Sequence, residues 1–219
     1  MNHFKKHILT FSLILTSFVL KAQLTVNKDR LEKRIMDLAQ FGIQENGETE
    51  RVAFSDADIA ARQWVISQLN EMGLDTQIDV AGNVIGIRKG SGKTKKNISF
   101  GSHIDRVPNG GNYDGCVGSM AALEVLKVLT EQKIKTKHPL EVIIFSNEEG
   151  AVMGSRAMAG HLSKTAFPIK NATGYTVAEG IMRLGGDTTK IAEVARKKGD
   201  IAAFLELHIE QGGTLEKEK

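Results

Sequence analysis

The chain has 219 residues, 41% of them hydrophobic, and a formal net charge of +3 at pH 7. Residues 1–22 carry Lys5, Lys6 and Lys21 and no acidic residue, so without them the formal charge falls from +3 to zero. The balance gives no reason to expect nucleic acid or an anionic membrane as a partner. The single cysteine, Cys116, excludes an internal disulfide.

The N-terminus has the order of regions found in a secretory signal peptide. Lys5 and Lys6 precede an apolar run over residues 8–20, and Ala22 is a suitable last residue before cleavage. We therefore expect residues 1–22 to be a signal peptide and residues 23–219 to be one domain. The mature protein would be exported, periplasmic or extracellular, with no stable membrane anchor. An uncleaved membrane anchor is the alternative interpretation.

Three helices are predicted from apolar spacing and end signals. Apolar residues at helical intervals predict the first helix over residues 27–43. Ser55 is a suitable N-cap for a second helix over residues 56–72, which Gly73 would end. A third helix is predicted over residues 116–132.

Five strands are predicted between and after these helices. Residues 74–80 and 83–88 are separated by a turn, and residues 89–96 form a basic loop that we interpret as a solvated hairpin tip. The apolar runs typical of interior strands are 97–103, 140–146 and 202–208. Strands alternating with helices predict a layered α/β domain with a largely parallel sheet.

Ligand-type residues stand at the ends of the three apolar strands. His103 and Asp105 end the first, Glu148 and Glu149 follow the second, and His208 ends the third. Because open α/β sheets build their sites at the carboxyl ends of strands, these side chains are expected at one rim. Imidazole and carboxylate are the ligands of hydrolytic zinc or manganese sites. The pattern predicts a metal-dependent enzyme.

Three further residues are candidates for supporting roles. Asp105 lies two residues after His103, so it is placed to accept a hydrogen bond that orients the imidazole. Arg156 could hold a substrate carboxylate through its fork of donors, with packing or a helix-end role as the alternative. Gln211 is a weaker candidate for binding substrate.

Four sequence blocks carry a family resemblance. They read AFSDADIAARQWVISQLNEMGLDTQIDVAGNVIG, GSHIDRVPNGGNYDGCVGSMAALE, SNEEGAVMGSRAMAG and ELHIEQGGTLE. In this order they resemble the metal-dependent amidohydrolases of the M20-type peptidase family, in the branch of N-carbamoyl-L-amino-acid hydrolases, ureidoglycolate hydrolases and allantoate amidohydrolases. The resemblance runs from about residue 27 to the end, and it implies the catalytic domain of a metallo-exopeptidase-like (phosphorylase/hydrolase-type) fold.

The resemblance also implies roles for the rim residues. Asp114 matches the residue that bridges two divalent ions, zinc or manganese. His103 and His208 match ligands of one ion, and Glu149 matches a ligand of the other. Glu148 matches the general base, which takes a proton from water and passes it to the leaving nitrogen.

The implied activity is hydrolysis of linear amide or ureido C–N bonds in small molecules, N-carbamoyl-L-amino acids or allantoate-like ureides. A peptidase or aminoacylase of the same family is a second interpretation. An inactive metal-binding remnant is a third, from a different class. No nucleic acid partner is expected, and family members are typically homodimers.

The chain departs from the family pattern at several points. Arg106 replaces a small hydroxyl residue, Gly213 stands where many members have proline, and the segment between Glu149 and Gly154 is short. The short segment puts the choice of substrate in doubt.

Family members continue past the HIEQG motif into a lid and dimerisation domain, whereas this sequence stops at Lys219. We therefore expect an incomplete catalytic domain, either a fragment or a chain completed by a partner. We expect one tight metal site, formed by His103, Asp114 and His208, and a second site short of a ligand.

Overall fold

The computed structural model describes residues 24–218, so the predicted signal peptide lies outside the described residues. The helices and strands of the described part are α1 (Lys28–Ala39), α2 (Asp56–Glu71), β1 (Asp75–Ile78), β2 (Val84–Arg88), β3 (Asn97–His103), α3 (Cys116–Glu131), β4 (Leu140–Phe145), α4 (Met153–Met158), α5 (Val177–Arg183), β5 (Ile201–Leu205) and α6 (Thr214–Lys217). Short 3-10 helices span Lys164–Ala166 and Thr188–Val194. No helix within residues 24–218 is long and apolar enough to cross a membrane.

The strands form one five-stranded mixed sheet in the order β1-β2-β4-β3-β5. β3 pairs in parallel with both β4 and β5, whereas β1 with β2 and β2 with β4 are antiparallel. The layered α/β class is confirmed, but parallel pairing is limited to the half of the sheet around β3. The tight turn at Asp79–Asn83 accounts for the difference, because it reverses the chain between β1 and β2.

The sheet is covered by helices on both faces. Side chains of β2 and β4 alternate, so that Val84 and Val142 pack with α1, α2 and α3 on one face. Ile85 and Ile143 pack with α4, α5 and the second 3-10 helix on the other face. The arrangement is a three-layer sandwich.

Two predictions about the strands were wrong. The predicted interior strand over residues 202–208 is the edge strand β5, which ends at Leu205 and is largely exposed. Its apolar run has the composition of a buried strand, but no other strand within residues 24–218 pairs with its outer side. The loop 89–96 is not a hairpin tip, because β4 lies between β2 and β3.

Candidate metal centre

His103 is the last residue of β3, buried where the strand reaches the rim of the sheet. The hydroxyl of Ser119 in α3 donates to the His103 carbonyl oxygen at 2.8 Å, which fixes the end of the strand against the helix. The ring atom Nδ1 lies 3.1 Å from the carbonyl oxygen of Asp105. When Nδ1 donates to this carbonyl, Nε2 is left with a lone pair facing the rim.

Asp114 is placed by a tight Asp-Gly turn that leads into α3. Gly115 has a φ of 60°, and a Cβ at this position would lie 2.2 Å from Nε2 of His103. Only glycine combines this backbone conformation with so close an approach to the ring. The turn therefore brings the carboxylate of Asp114 next to the histidine.

His208 reaches the same place from the segment after β5. Its Nδ1 lies 2.9 Å from the carbonyl oxygen of Ile209, and its Nε2 lies 3.2 Å from Oδ1 of Asp114. Because this segment passes directly over α3, a Cβ on Gly118 would lie 2.1 Å from the carbonyl oxygen of Leu207. Both histidines thus have Nδ1 at a main-chain carbonyl and Nε2 turned to one carboxylate.

The three side chains fit a divalent cation. One ligand atom from each of His103, Asp114 and His208 lies within 4.8 Å of the other two. Asp114 Oδ1 stands between the histidines, 3.9 Å from Nε2 of His103, and it is a buried oxygen without a hydrogen-bond donor. A buried carboxylate oxygen between two imidazole nitrogens is costly unless a proton or a metal cation neutralises the charge there. The group is therefore a possible metal-binding site.

The segment after β4 brings two glutamates to the rim. Oε2 of Glu148 lies 3.4 Å from Nε2 of His103. The backbone N–H of Glu149 donates to Oδ2 of Asp105 at 3.1 Å, and Asn147 makes the turn with a φ of 45°. Asp105 thus connects the ends of β3 and β4. It supports His103 through its main-chain carbonyl, and its Oδ1 lies 3.6 Å from Nδ1 of the ring.

The electrostatics of the rim are those of a crowded acidic site. Burial raises the pKa of Glu148; the nearby histidines lower it, and the nearby carboxylates raise it further. Burial and the charge of Asp114 raise the pKa of Glu149. Burial opposes protonation of His103, but the hydrogen bond and charge of Asp105 and the charge of Glu148 outweigh it and raise its pKa to about 9. In the absence of a cation, a proton on His103 partly neutralises the carboxylates.

The two residues predicted to bind substrate lie in different surroundings. Gln211 is at the rim, where its side-chain amide donates to Oδ2 of Asp114. Arg156 is exposed in the last turn of α4, and none of the described contacts joins it to the rim residues. The structure therefore gives Gln211 a role in holding Asp114, which sequence reasoning did not anticipate.

Arg106, one of the departures from the family pattern, is buried and holds the loop that leads to Asp114. Its Nη1 donates to Oδ1 of Asn112 at 2.6 Å. Nearby, Arg51 donates to Sγ of Cys116 at 3.2 Å, and burial raises the pKa of this thiol. Cys116 is a buried residue at the start of α3.

The fold and the rim together define the class of protein, an α/β domain with a candidate metal centre at the carboxyl ends of its parallel strands. The profile of peptidase family M20/M25/M40 matches residues 99–219, which include every residue of this centre. The chain belongs to peptidase family M20/M25/M40.

Proteins of similar sequence are named as hydrolases of N-carbamoyl-L-amino acids and of ureidoglycolate. The chain is 39% identical to an N-carbamoyl-L-amino acid amidohydrolase of Geobacillus stearothermophilus, over 87% of this chain and 48% of the relative. It is 35% identical to a ureidoglycolate hydrolase of Oryza sativa subsp. japonica, over 88% and 42%. A hydantoinase/carbamoylase family amidase from Burkholderia ambifaria superposes with a TM-score of 0.79 at 30% identity, over 89% and 48%. The chain spans about half the length of the relatives that it matches.

Proposed function

We propose that the protein is a metal-dependent hydrolase of ureido or amide C–N bonds in small molecules. The observation that carries this proposal is the arrangement around Asp114, where Oδ1 lacks a donor and faces Nε2 of both His103 and His208. The names of the relatives support ureido compounds, N-carbamoyl-L-amino acids or allantoate-like ureides, as the substrate class.

His103, Asp114 and His208 would hold one divalent ion, zinc or manganese. Two imidazoles and a carboxylate form the ligand set of hydrolytic zinc sites that keep a fourth position for water or substrate. When bound, such an ion polarises a carbonyl oxygen and lowers the pKa of water. Glu149 is the further ligand we propose for a second, weaker ion.

Glu148 would be the general base. It lies beside the proposed metal ligands without being part of their group, and burial raises its pKa. A raised pKa brings a carboxylate nearer to the pH at which proton transfer to and from water is efficient. Glu148 would accept the proton of the attacking water and return it to the leaving nitrogen. Asp105 would keep His103 in the tautomer that presents Nε2, and Gln211 would hold Asp114.

The test combines metal analysis with turnover. The purified protein, loaded with zinc or manganese, is assayed on N-carbamoyl-L-amino acids, allantoate, ureidoglycolate and dipeptides. We expect Glu148→Gln to retain the metal and to lower turnover by about 10²–10⁴-fold, because an amide cannot take the proton. Glu193→Gln, an exposed glutamate in the second 3-10 helix, is the matched control and should be unchanged.

The outcomes separate the alternatives. Turnover of dipeptides alone would support a peptidase, the activity named in the family description. Bound metal without turnover of any substrate would contradict the hydrolase proposal and support a metal-binding remnant. Full activity of Glu148→Gln would show that another group is the base.

We also propose that the protein is exported and that residues 1–22 are removed. The basic residues Lys5 and Lys6, followed by the apolar run over 8–20, support this proposal. N-terminal sequencing of the mature protein should find a start near Gln23, and a start at Met1 or Asn2 on cytosolic protein would contradict it.

A further inference from the structure

Positive charge is concentrated at the end of the sheet opposite the candidate metal centre. The loops 89–96, 133–137 and 197–200 precede β3, β4 and β5, which run in parallel and so begin at the same edge. Hydrogen bonds hold the loops together, since Gly92 N donates to the Lys137 carbonyl and Asn97 N donates to the Asp200 carbonyl, each at 3.0 Å. We call these three loops the basic face.

The basic face carries unpaired positive charge. Its loops contain four, three and two lysines in turn, all of them exposed, and one acidic residue, Asp200. The lysines that form ion pairs within residues 24–218 are Lys33, Lys127 and Lys190, which lie outside these loops. The carboxylates of the candidate metal centre stand at the other end of the same strands. The zero net charge expected for residues 23–219 therefore conceals a strong separation of charge.

Three features of this face indicate its partner. Lys89, Lys93 and Lys95 line a surface cavity of about 420 Å³, large enough for a phosphate-bearing headgroup. Ile134 is exposed between Lys133 and Lys135, which places an apolar side chain among the cations. None of the three loops contains an aromatic residue, so the face lacks the stacking platforms of proteins that bind single-stranded nucleic acid.

The chain also enters the described structure near this face. Nη1 of Arg30, in the first turn of α1, lies 2.9 Å from Oε1 of Glu131 in the last turn of α3, and α3 leads directly into the loop 133–137. The mature chain that we propose, with its start near Gln23, would therefore begin beside the basic face. A membrane surface is the partner that fits both the charge of the basic face and its exposed apolar side chain, Ile134.

We propose that the basic face docks on a membrane surface rich in anionic phospholipids, with the candidate metal centre facing away from the bilayer. Lysines near such a surface each add to the attraction, which salt weakens over the Debye length. The proposal does not depend on the metal chemistry of the opposite end.

Vesicle sedimentation of the full 219-residue chain tests the charge. We compare phosphatidylcholine vesicles with vesicles that also contain phosphatidylglycerol. The variant K93Q/K95Q/K135Q/K137Q should lose at least about tenfold in affinity for the anionic vesicles, because each lysine contributes several-fold. The control K164Q/K170Q/K190Q/K217Q removes the same number of charges outside the basic face and should retain the preference. Equal losses in the two variants would overturn the proposal.

Lysine acylation footprinting tests the orientation, even if the N-terminal segment holds the chain on every vesicle. Anionic vesicles should protect Lys93, Lys95, Lys135 and Lys137 from acylation, and neutral vesicles should not. Equal labelling with and without anionic vesicles would overturn the proposal. Protection of these lysines by duplex DNA, without protection by anionic vesicles, would also overturn it and would assign the face to nucleic acid.

Discussion

Helix α3 takes part in two clusters of charged residues, and the two differ in how completely their carboxylates are satisfied. Within the helix, the buried carboxylate of Glu124 accepts hydrogen bonds from Asn27 N, from Arg30 and from Arg34, at 2.8 to 3.0 Å. Just before the helix, Asp114 has one oxygen with no donor at all and faces two histidines.

The difference appears in the pKa values. Burial alone would raise the pKa of Glu124, but the hydrogen bonds from Arg30 and Asn27 and the charges of both arginines lower it. At the candidate metal centre, burial and the charges of nearby carboxylates raise the pKa values of Glu148 and Glu149. A cluster that supplies its own counter-charges stabilises the fold, whereas a cluster left short of positive charge is suited to bind a cation.

The largest effect is expected at the cluster around Glu124, whose carboxylate is fully hydrogen-bonded. Glu124→Gln leaves two arginines beside α3 without their buried partner, and breaking a buried ion pair costs about 3–5 kcal/mol. Urea unfolding should show a loss of this size, with metal binding retained. Asp37→Asn is the control, because it breaks the exposed pair of Lys33 and Asp37 at 2.8 Å in α1. That pair should contribute about 0.5 kcal/mol or less, and equal losses would show that burial does not separate the two pairs.

A metal-dependent effect is expected at the cluster around Asp114, whose carboxylate has one oxygen without a donor. Asp114→Asn removes the charge between the histidines, so the protein should lose the stabilisation that zinc gives the wild type. That stabilisation is about 2.7 kcal/mol at a free metal concentration of about 100 times the Kd. Thermal unfolding with zinc and with a chelator measures it. Asp75→Asn changes an exposed residue of β1 and should respond to zinc as the wild type does. A full zinc response in Asp114→Asn would contradict the assignment of the centre.

Sequence reasoning found the rim residues because they end recognisable strands. β3 was predicted with its observed bounds, and the positions of His103 and Glu148 follow from β3 and β4. It did not find the carbonyl oxygens of Asp105 and Ile209 at the histidine rings, because main-chain acceptors leave no mark on residue type. The Asp-Gly pair was the available signal for the turn at Gly115.

The parts of the fold that were missed are short or depend on tertiary context. No element was predicted between residues 151 and 200, where α4 and α5 have six and seven residues, too few for a clear period. The capping box of Thr176 and Glu179 was a usable signal for α5. The edge position of β5 could not be read from its apolar run, because strand order is decided by long-range pairing.

A smaller, pH-dependent effect is expected at Asp58, a third buried carboxylate, for which the charge of Arg62 offsets the cost of burial only in part. It is buried in the first turn of α2, where one oxygen accepts from Phe54 N and the other has no donor. Burial, opposed in part by Arg62, raises its pKa from the ordinary value of 3.8 to about 6. The folded state therefore binds the proton more tightly than the unfolded state, so the stability that protonation gives is complete below pH 3.8 and is lost as the pH rises through 6. Asp58→Asn resembles the protonated form at every pH. Its free energy of unfolding, relative to wild type, should rise by about 2 kcal/mol between pH 4.5 and pH 7 in urea titrations. A difference that stays constant over this range would show that Asp58 is compensated as fully as Glu124.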